Sequence, residues 1–290
     1  MIHAPEKIDH LAVITLDFDD LMQIRDTPAP EYNVTRAEYA DDFDKRCAKD
    51  PKWFGNVASA SEAVALIDMG WQTGVERSSA ITSSLDGQIA AVEAFRRRPR
   101  WGEDGEELSV DRALAGDWDT AFLDLPKVRT NGSRIITIAG PMGGDCNRNA
   151  EELFWNGVQL MVVSDMLEAS GYQTEVWGIN LCRQWSGLVD SIVAVRAKAA
   201  GEPLRLDTMA SVFAHAGIFR TFGFSAMARV KTPVGEGFGS PMMSVAHMQT
   251  RLDEAAYHGW MPECNVVMGN AWKRKEAIDS ITATLAKATR

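Results

Sequence analysis

Residues 134–171 read RIITIAGPMGGDCNRNAEELFWNGVQLMVVSDMLEASG. Arg134 to Ala139 is a short run rich in β-branched residues, which suits a buried parallel strand. Gly140 to Asn149 then forms a Gly-rich loop, and a long helix is expected from about Ala150 to Ser170. Its apolar positions are Leu153, Val158, Met161, Val162 and Leu167, and Gly171 closes it. This order opens a pattern of strand, crossover helix and strand.

The pattern continues to the C-terminus. Thr174 to Ile179 (TEVWGI) is a second strand and Ser191 to Val195 a third. Helical spacing runs from Asp207 to about Met227 and from Ser244 to Tyr257. Cys264 to Met268 (CNVVM) is a further strand, and Trp272 to Ala288 a last helix with Lys and Arg on its polar face. Residues 131–290 are therefore expected to form a Rossmann-like α/β domain, with a parallel sheet flanked by helices.

Residues 1–130 are expected to be an acidic, mainly helical N-terminal region. Leu11 to Phe18 (LAVITLDF) is its strand candidate. Ser59 and Glu62 stand at capping-box spacing before Ala63, Leu66 and Ile67, and Gly70 can close that helix. A second helical pattern passes through Ile81, Leu85, Ile89, Val92 and Phe95. The domain boundary is expected between Leu125 and Ser133, where PKVRTNG clusters Pro, Asn and Gly.

Composition narrows the function. The 290 residues carry 30 Lys and Arg against 40 Asp and Glu, a formal net charge of −10. Apolar residues make up 46% and charged residues 24%, which excludes a disordered tail, a collagen-like repeat or a coiled-coil rod. A net-acidic chain also repels duplex DNA unless its basic residues are segregated. Cys47, Cys146, Cys182 and Cys264 are scattered, which fits reduced thiols. No apolar run approaches the roughly 20 residues of a membrane span. Met1 to Glu6 lacks a basic stretch leading into an apolar one, so the expected location is cytoplasmic.

Three patterns carry candidate chemistry. Asp145, Asn147 and Asn149 alternate oxygen-bearing side chains that a divalent cation can use, although Asn before a helix is most commonly a cap. Gly143 and Gly144 precede a helix N-terminus and offer backbone N–H groups to an anion. GPMGGD is neither a P-loop nor G-x-G-x-x-G. Arg96, Arg97, Arg98, Arg100 and Trp101 form the one concentrated basic cluster. They suit single-stranded nucleic acid, or the C-terminus of a helix that Pro99 stops.

Other residues read as structural. The acidic groups Asp17 to Asp20 and Asp41, Asp42 and Asp44 read as solvated faces. The histidines His3, His10, His215, His247 and His258 have no ligand spacing, and His215 reads as a satisfied structural histidine. Cys146 precedes a helix, but a nucleophile there needs a base that the sequence does not place.

The second half resembles the von Willebrand factor A-type fold and, more loosely, any Rossmann-like domain. The likeness rests on RIITIA entering its Gly-rich loop, on Met166 to Tyr172, and on the strand Glu175-Val176-Trp177. An A-type metal site needs Asp-x-Ser-x-Ser after the first strand. Here Ala139-Gly140-Pro141-Met142-Gly143 stand in its place, so the resemblance implies a degenerate site. The whole chain also resembles an uncharacterised phage- and plasmid-borne family. That likeness rests on Phe54 to Gly74, Leu167 to Trp177, Lys198 with Gly201 to Leu204, and HAGIFRTFGF from His215 to Phe224. It implies a mobile-element setting and no particular chemistry.

The function expected from these readings is a non-enzymatic binding or assembly protein, recognising a protein or nucleoprotein in a phage or plasmid process. One alternative is a divalent-metal-dependent enzyme acting on a phosphorylated substrate at the 140–149 loop. The other is single-stranded nucleic-acid binding through Arg96 to Trp101. No resident cofactor is expected under the first reading, a divalent cation under the second, and no membrane partner under any.

Overall fold

A computed structural model of the chain describes residues 5–23, 43–85, 100–102, 107–124, 135–183, 189–230, 240–241 and 244–288. Its strands are β1 (Glu6–Ile8), β2 (Leu11–Leu16), β3 (Arg100–Gly102), β4 (Glu107–Leu108) and β5 (Phe122–Asp124). They continue with β6 (Ile135–Pro141), β7 (Gln173–Arg183), β8 (Asp190–Lys198), β9 (Ser240–Pro241) and β10 (Val266–Val267).

The helices before β6 are α1 (Phe18–Gln23), α2 (Phe43–Lys49), α3 (Ala60–Met69), α4 (Gln72–Leu85) and α5 (Val110–Leu114). Those after it are α6 (Ala150–Ala169), α7 (Leu206–Met209), α8 (Ala216–Ile218), α9 (Phe224–Val230), α10 (Val245–Tyr257) and α11 (Arg274–Ala288).

The main sheet is mixed, in the order β1-β2-β8-β7-β6-β10, with β9 pairing the far end of β7. β6 is parallel to β7 and to β10, and β2 is parallel to β8, while β7 and β8 are antiparallel. This corrects the expectation of a parallel sheet. β7 and β8 are longer than their apolar cores suggest, so only residues 184–189 join them. A parallel return needs a crossover of about a dozen residues, and six allow only a reversal.

Both faces of the sheet are covered. Ala12, Ile14, Ile136, Ile138, Val193 and Val195 face one core, shared with α3, α4, α6 and α11. Leu11, Val13, Ile179, Leu181, Ile192 and Ala194 face the other, under Met248, Leu252 and Ala255 of α10. Strands buried on both sides lose polar alternation, which is why LAVITL and RIITIA read as continuous apolar runs. Residues on either side of the expected boundary at 130/131 thus share one sheet and one core. The N-terminal part contributes strands β1 and β2 to that sheet as well as helices.

α6 is buried nearly all round, lying on β6 and β7 with α4 and α11 beside it. Gly157 brings its backbone against the carbonyl of Phe213, a position that a Cβ would occupy. The expected helix over 207–227 is broken instead. Two π-helical turns, Ala210–Ala214 and Phe219–Gly223, flank an extended His215. His215 caps the new start by accepting the Gly217 N–H at 3.1 Å.

A second, antiparallel sheet of β3, β5 and β4 stands apart, with α5 and a 3₁₀ turn at Trp118–Thr120 folded against it. Its own centre is Ala121, which is fully buried.

Candidate functional site

The loop 142–149 leaves the carboxyl end of β6 and is held by buried amides. Asn180 donates to the Met142 carbonyl at 3.1 Å, and Asn156 to the Gly143 carbonyl at 2.8 Å. The Asn156 side-chain oxygen accepts the Ala271 N–H, and Gln159 donates to the Gly269 carbonyl. These bonds tie the loop to the segment before α11.

Gly143 has φ +82°, and the Phe219 ring lies where its Cβ would be. Gly144 has Leu153 and Trp272 in the same relation. Close aromatic packing accounts for both glycines. An anion at this helix start would also meet Glu151 and Glu152 in the first turn.

Asp145, Asn147 and Asn149 do lie together on the loop, with the side-chain oxygens of Asp145 and Asn149 engaged locally. Asp145 accepts the Asn147 N–H at 2.9 Å and pairs with Arg148 at 3.2 Å. Asn149 and Glu152 form a complete capping box, each bond 2.9 Å. The Asn149 N–H and the Arg148 guanidinium outweigh desolvation and hold Glu152 below its ordinary pKa. Among the described residues, no group of three or more His, Cys, Asp or Glu is arranged to hold a metal ion.

A tryptophan and arginine clamp fastens the loop from both sides. Trp53 donates to the Cys146 carbonyl at 2.9 Å. Arg220, buried, stacks 3.8 Å over the Trp53 ring and bonds the carbonyls of Trp53 and Arg148. Arg148 in turn lies 4.4 Å over Trp272. Cys146 is exposed on the outside of this clamp. His215 sits behind it, against Trp71 at 4.8 Å, and burial pushes its pKa down to about 4. It is a neutral structural histidine, as its apolar setting in the sequence suggests.

Of the basic cluster, Arg96, Arg97 and Arg98 lie outside the described residues. Arg100 and Trp101 stand on β3, paired with Asp124 and Leu123 of β5.

A polar cluster that spacing does not reveal surrounds Asp190, which is 1% exposed. Arg183 grips it through two bonds of 2.8 and 3.1 Å, and His247 and Arg251 each approach to 2.7 Å. Arg251 also pairs with Glu254, which meets His10 at 2.7 Å. Burial alone would raise the Asp190 pKa, but these donors outweigh it and leave the carboxyl at about 2. The β7–β8 pairing sets Arg183 opposite Asp190, and α10 supplies His247 and Arg251 one turn apart. The group locks α10 to the adjoining ends of β7 and β8.

The remaining feature is a face of the small sheet's module. Val110 is 61% exposed, Leu114 82% and Trp118 56%, with Leu108 also exposed. Val110 and Leu114 share one face of α5 at i, i+4 spacing. The chain then folds back through the Asp117 N–H to the Arg112 carbonyl and presents Trp118. Apolar residues at helical spacing read as core in a sequence, and exposure is decided only by what packs on them.

Fold and surface together define a mixed α/β protein whose main sheet is covered on both faces, with a second, three-stranded sheet beside which Leu108, Val110, Leu114 and Trp118 are exposed. The chain belongs to the family described as a domain of unknown function, DUF7192, whose model matches residues 7–286. No curated protein and no solved structure matches it. No helix among the described residues is long and apolar enough to cross a membrane.

Proposed function

We propose that this protein is a non-enzymatic binding or assembly protein whose contact surface is the face made by Leu108, Val110, Leu114 and Trp118. The exposure of these side chains carries the reading. An α-helical turn with two aliphatic residues and a neighbouring tryptophan turned to solvent costs hydration free energy that a partner would recover. Tryptophan is also among the residues that dominate interface energetics. The 142–149 loop supports the same reading, since Asp145, Arg148 and Asn149 are engaged in a turn, stacking and a helix cap. The likeness to an A-type domain belongs to the proposal and is supported by β6 lying between parallel neighbours with the loop at its end. We further propose a mobile-element setting for that assembly, a reading supported only by the sequence likeness to a phage- and plasmid-borne family over Phe54 to Gly74 and His215 to Phe224.

The test is a photo-crosslinking amino acid at position 114, compared with the same group at Met69, which is exposed elsewhere on the body. Crosslinks to another macromolecule at 114 and none at 69 are expected in the producing cell. No crosslink at either site, with a turnover abolished by Asp145→Ala, would overturn the proposal in favour of an enzyme at the loop.

A further inference from the structure

We infer that a water molecule is bound inside the protein at Gln159, where α6 packs against the segment running from β10 to α11, as a fixed part of the fold. Gln159 is fully buried. Its amide nitrogen donates to the Asn156 carbonyl at 3.0 Å and to the Gly269 carbonyl at 3.1 Å, which commits both of its N–H groups. The two carbonyls also fix which way the amide faces, since the opposite orientation would set its oxygen against two other oxygens. Gln159 Oε1 has no donor within the protein. Among the described residues it is the one buried side-chain nitrogen or oxygen of which this is true.

The neighbouring amides are complete. Asn156, three residues earlier on the same helix, donates to the Gly143 carbonyl at 2.8 Å and accepts the Ala271 N–H at 2.9 Å. Asn180 donates to the Met142 carbonyl at 3.1 Å and accepts the Cys182 thiol at 3.2 Å. A buried acceptor that exchanges its hydration for nothing costs free energy. Native proteins pair nearly all such atoms with protein groups or ordered water. Gln159 Oε1 therefore calls for a donor that comes from solvent.

The chemistry of the place selects water. Gln159, Asn156, Leu160 and Ala271 are all buried, so the site is closed to larger donors. A cation would need several further oxygens and a counter-charge. No carboxylate bonds Gln159 or Asn156, and the carbonyls of Asn156 and Gly269 already accept from the Gln159 amide. A water gives one hydrogen to Oε1 and keeps a second for the remaining lone pair of either carbonyl beside the same amide. It would then add a third link between α6 and residues 269–271, next to the Gln159–Gly269 and Asn156–Ala271 bonds.

A high-resolution crystal structure of the full chain tests this without any substitution. The expected result is a single peak about 2.8 Å from Oε1, with the bonds to the Asn156 and Gly269 carbonyls in place. Water ¹⁷O magnetic relaxation dispersion then counts long-lived internal waters in solution, and the count should fall by one in Gln159→Met. Methionine fills a similar space without a strong polar atom. An Oε1 bonded to a protein donor, or with no neighbour at all, would overturn the inference. So would a peak ringed by several oxygens that grows when Rb⁺ replaces Na⁺, since the occupant would then be a cation. An unchanged dispersion in a Gln159→Met protein that melts cooperatively would overturn it as well. Should that variant fail to fold, the wild-type crystal peak decides alone.

Discussion

Lys198 and Glu168 form an ion pair of 2.7 Å, with the lysine buried at the end of β8 and the glutamate on the last turn of α6. The lysine also donates to the carbonyls of Thr174 and Ala199, so its ammonium is fully partnered inside the protein. Glu168 in turn accepts the N–H and hydroxyl of Thr174. One contact therefore joins α6, the start of β7 and the end of β8. Removing a member of a buried pair strands its partner's charge, so Lys198→Met should cost about 3 kcal/mol. Glu168→Gln leaves the more deeply buried Lys198 ammonium without a counter-ion and should cost at least as much, although Thr174 still has an oxygen to bond. Urea unfolding of the two variants would check this order.

Acid should destabilise the protein in two separate windows. His215 titrates near 6.5 when unfolded but is pushed to about 4 by burial, so the unfolded chain binds more protons between those values. Stability then falls as pH drops from about 6.5 to 4, by about 3 kcal/mol for this group. Asp190 is depressed from 3.8 to about 2, and its contribution is lost as pH falls through that lower window. His215→Asn keeps an acceptor for the Gly217 N–H and should abolish the upper slope. Asp190→Asn should reduce the lower slope, to which the likewise depressed Glu152, Glu168 and Glu254 also contribute, and lower stability at neutral pH by about 3 kcal/mol, because Arg183 and Arg251 lose their buried counter-ion. Denaturant midpoints taken across pH read both slopes.

Gly157→Ala should be strongly destabilising, by about 3 kcal/mol or more, since backbone at Phe213 and Ala214 must move. In an exposed helix interior the same change stabilises by about 1 kcal/mol. The sign of the change in thermal midpoint therefore tests whether α6 touches the π-helical turn through its backbone.

Asn149→Ala should cost about 1 kcal/mol through loss of the capping box. With its oxygen serving the helix and Asp145 tied to Arg148, Mg²⁺, Mn²⁺ and Ca²⁺ should leave the melting temperature of wild type unchanged. A rise in wild type that Asp145→Ala removes would restore a cation to this loop.

Much of the scaffold was legible in local pattern. β-branched runs marked β2 and β6, Ser59 with Glu62 and an Asn ahead of Ala150 marked helix starts, and the apolar positions between Ala150 and Ser170 marked a long helix. These depend on residues within a turn or two of each other, where spacing and capping chemistry act directly. Strand direction did not follow, because it hinged on how far β7 and β8 extend beyond their apolar cores.

By itself the sequence determined an α/β protein with a capped helix after a Gly-rich loop, and an acidic chain ill-suited to duplex DNA. Only the tertiary structure decided that His10, Arg183, Asp190, His247, Arg251 and Glu254 meet, since up to 244 positions separate the partners. It also decided that Gly143 and Gly144 make room for aromatic rings, and that Val110, Leu114 and Trp118 face solvent. Periodicity shows which residues share a face, while burial depends on what another part of the chain brings to it.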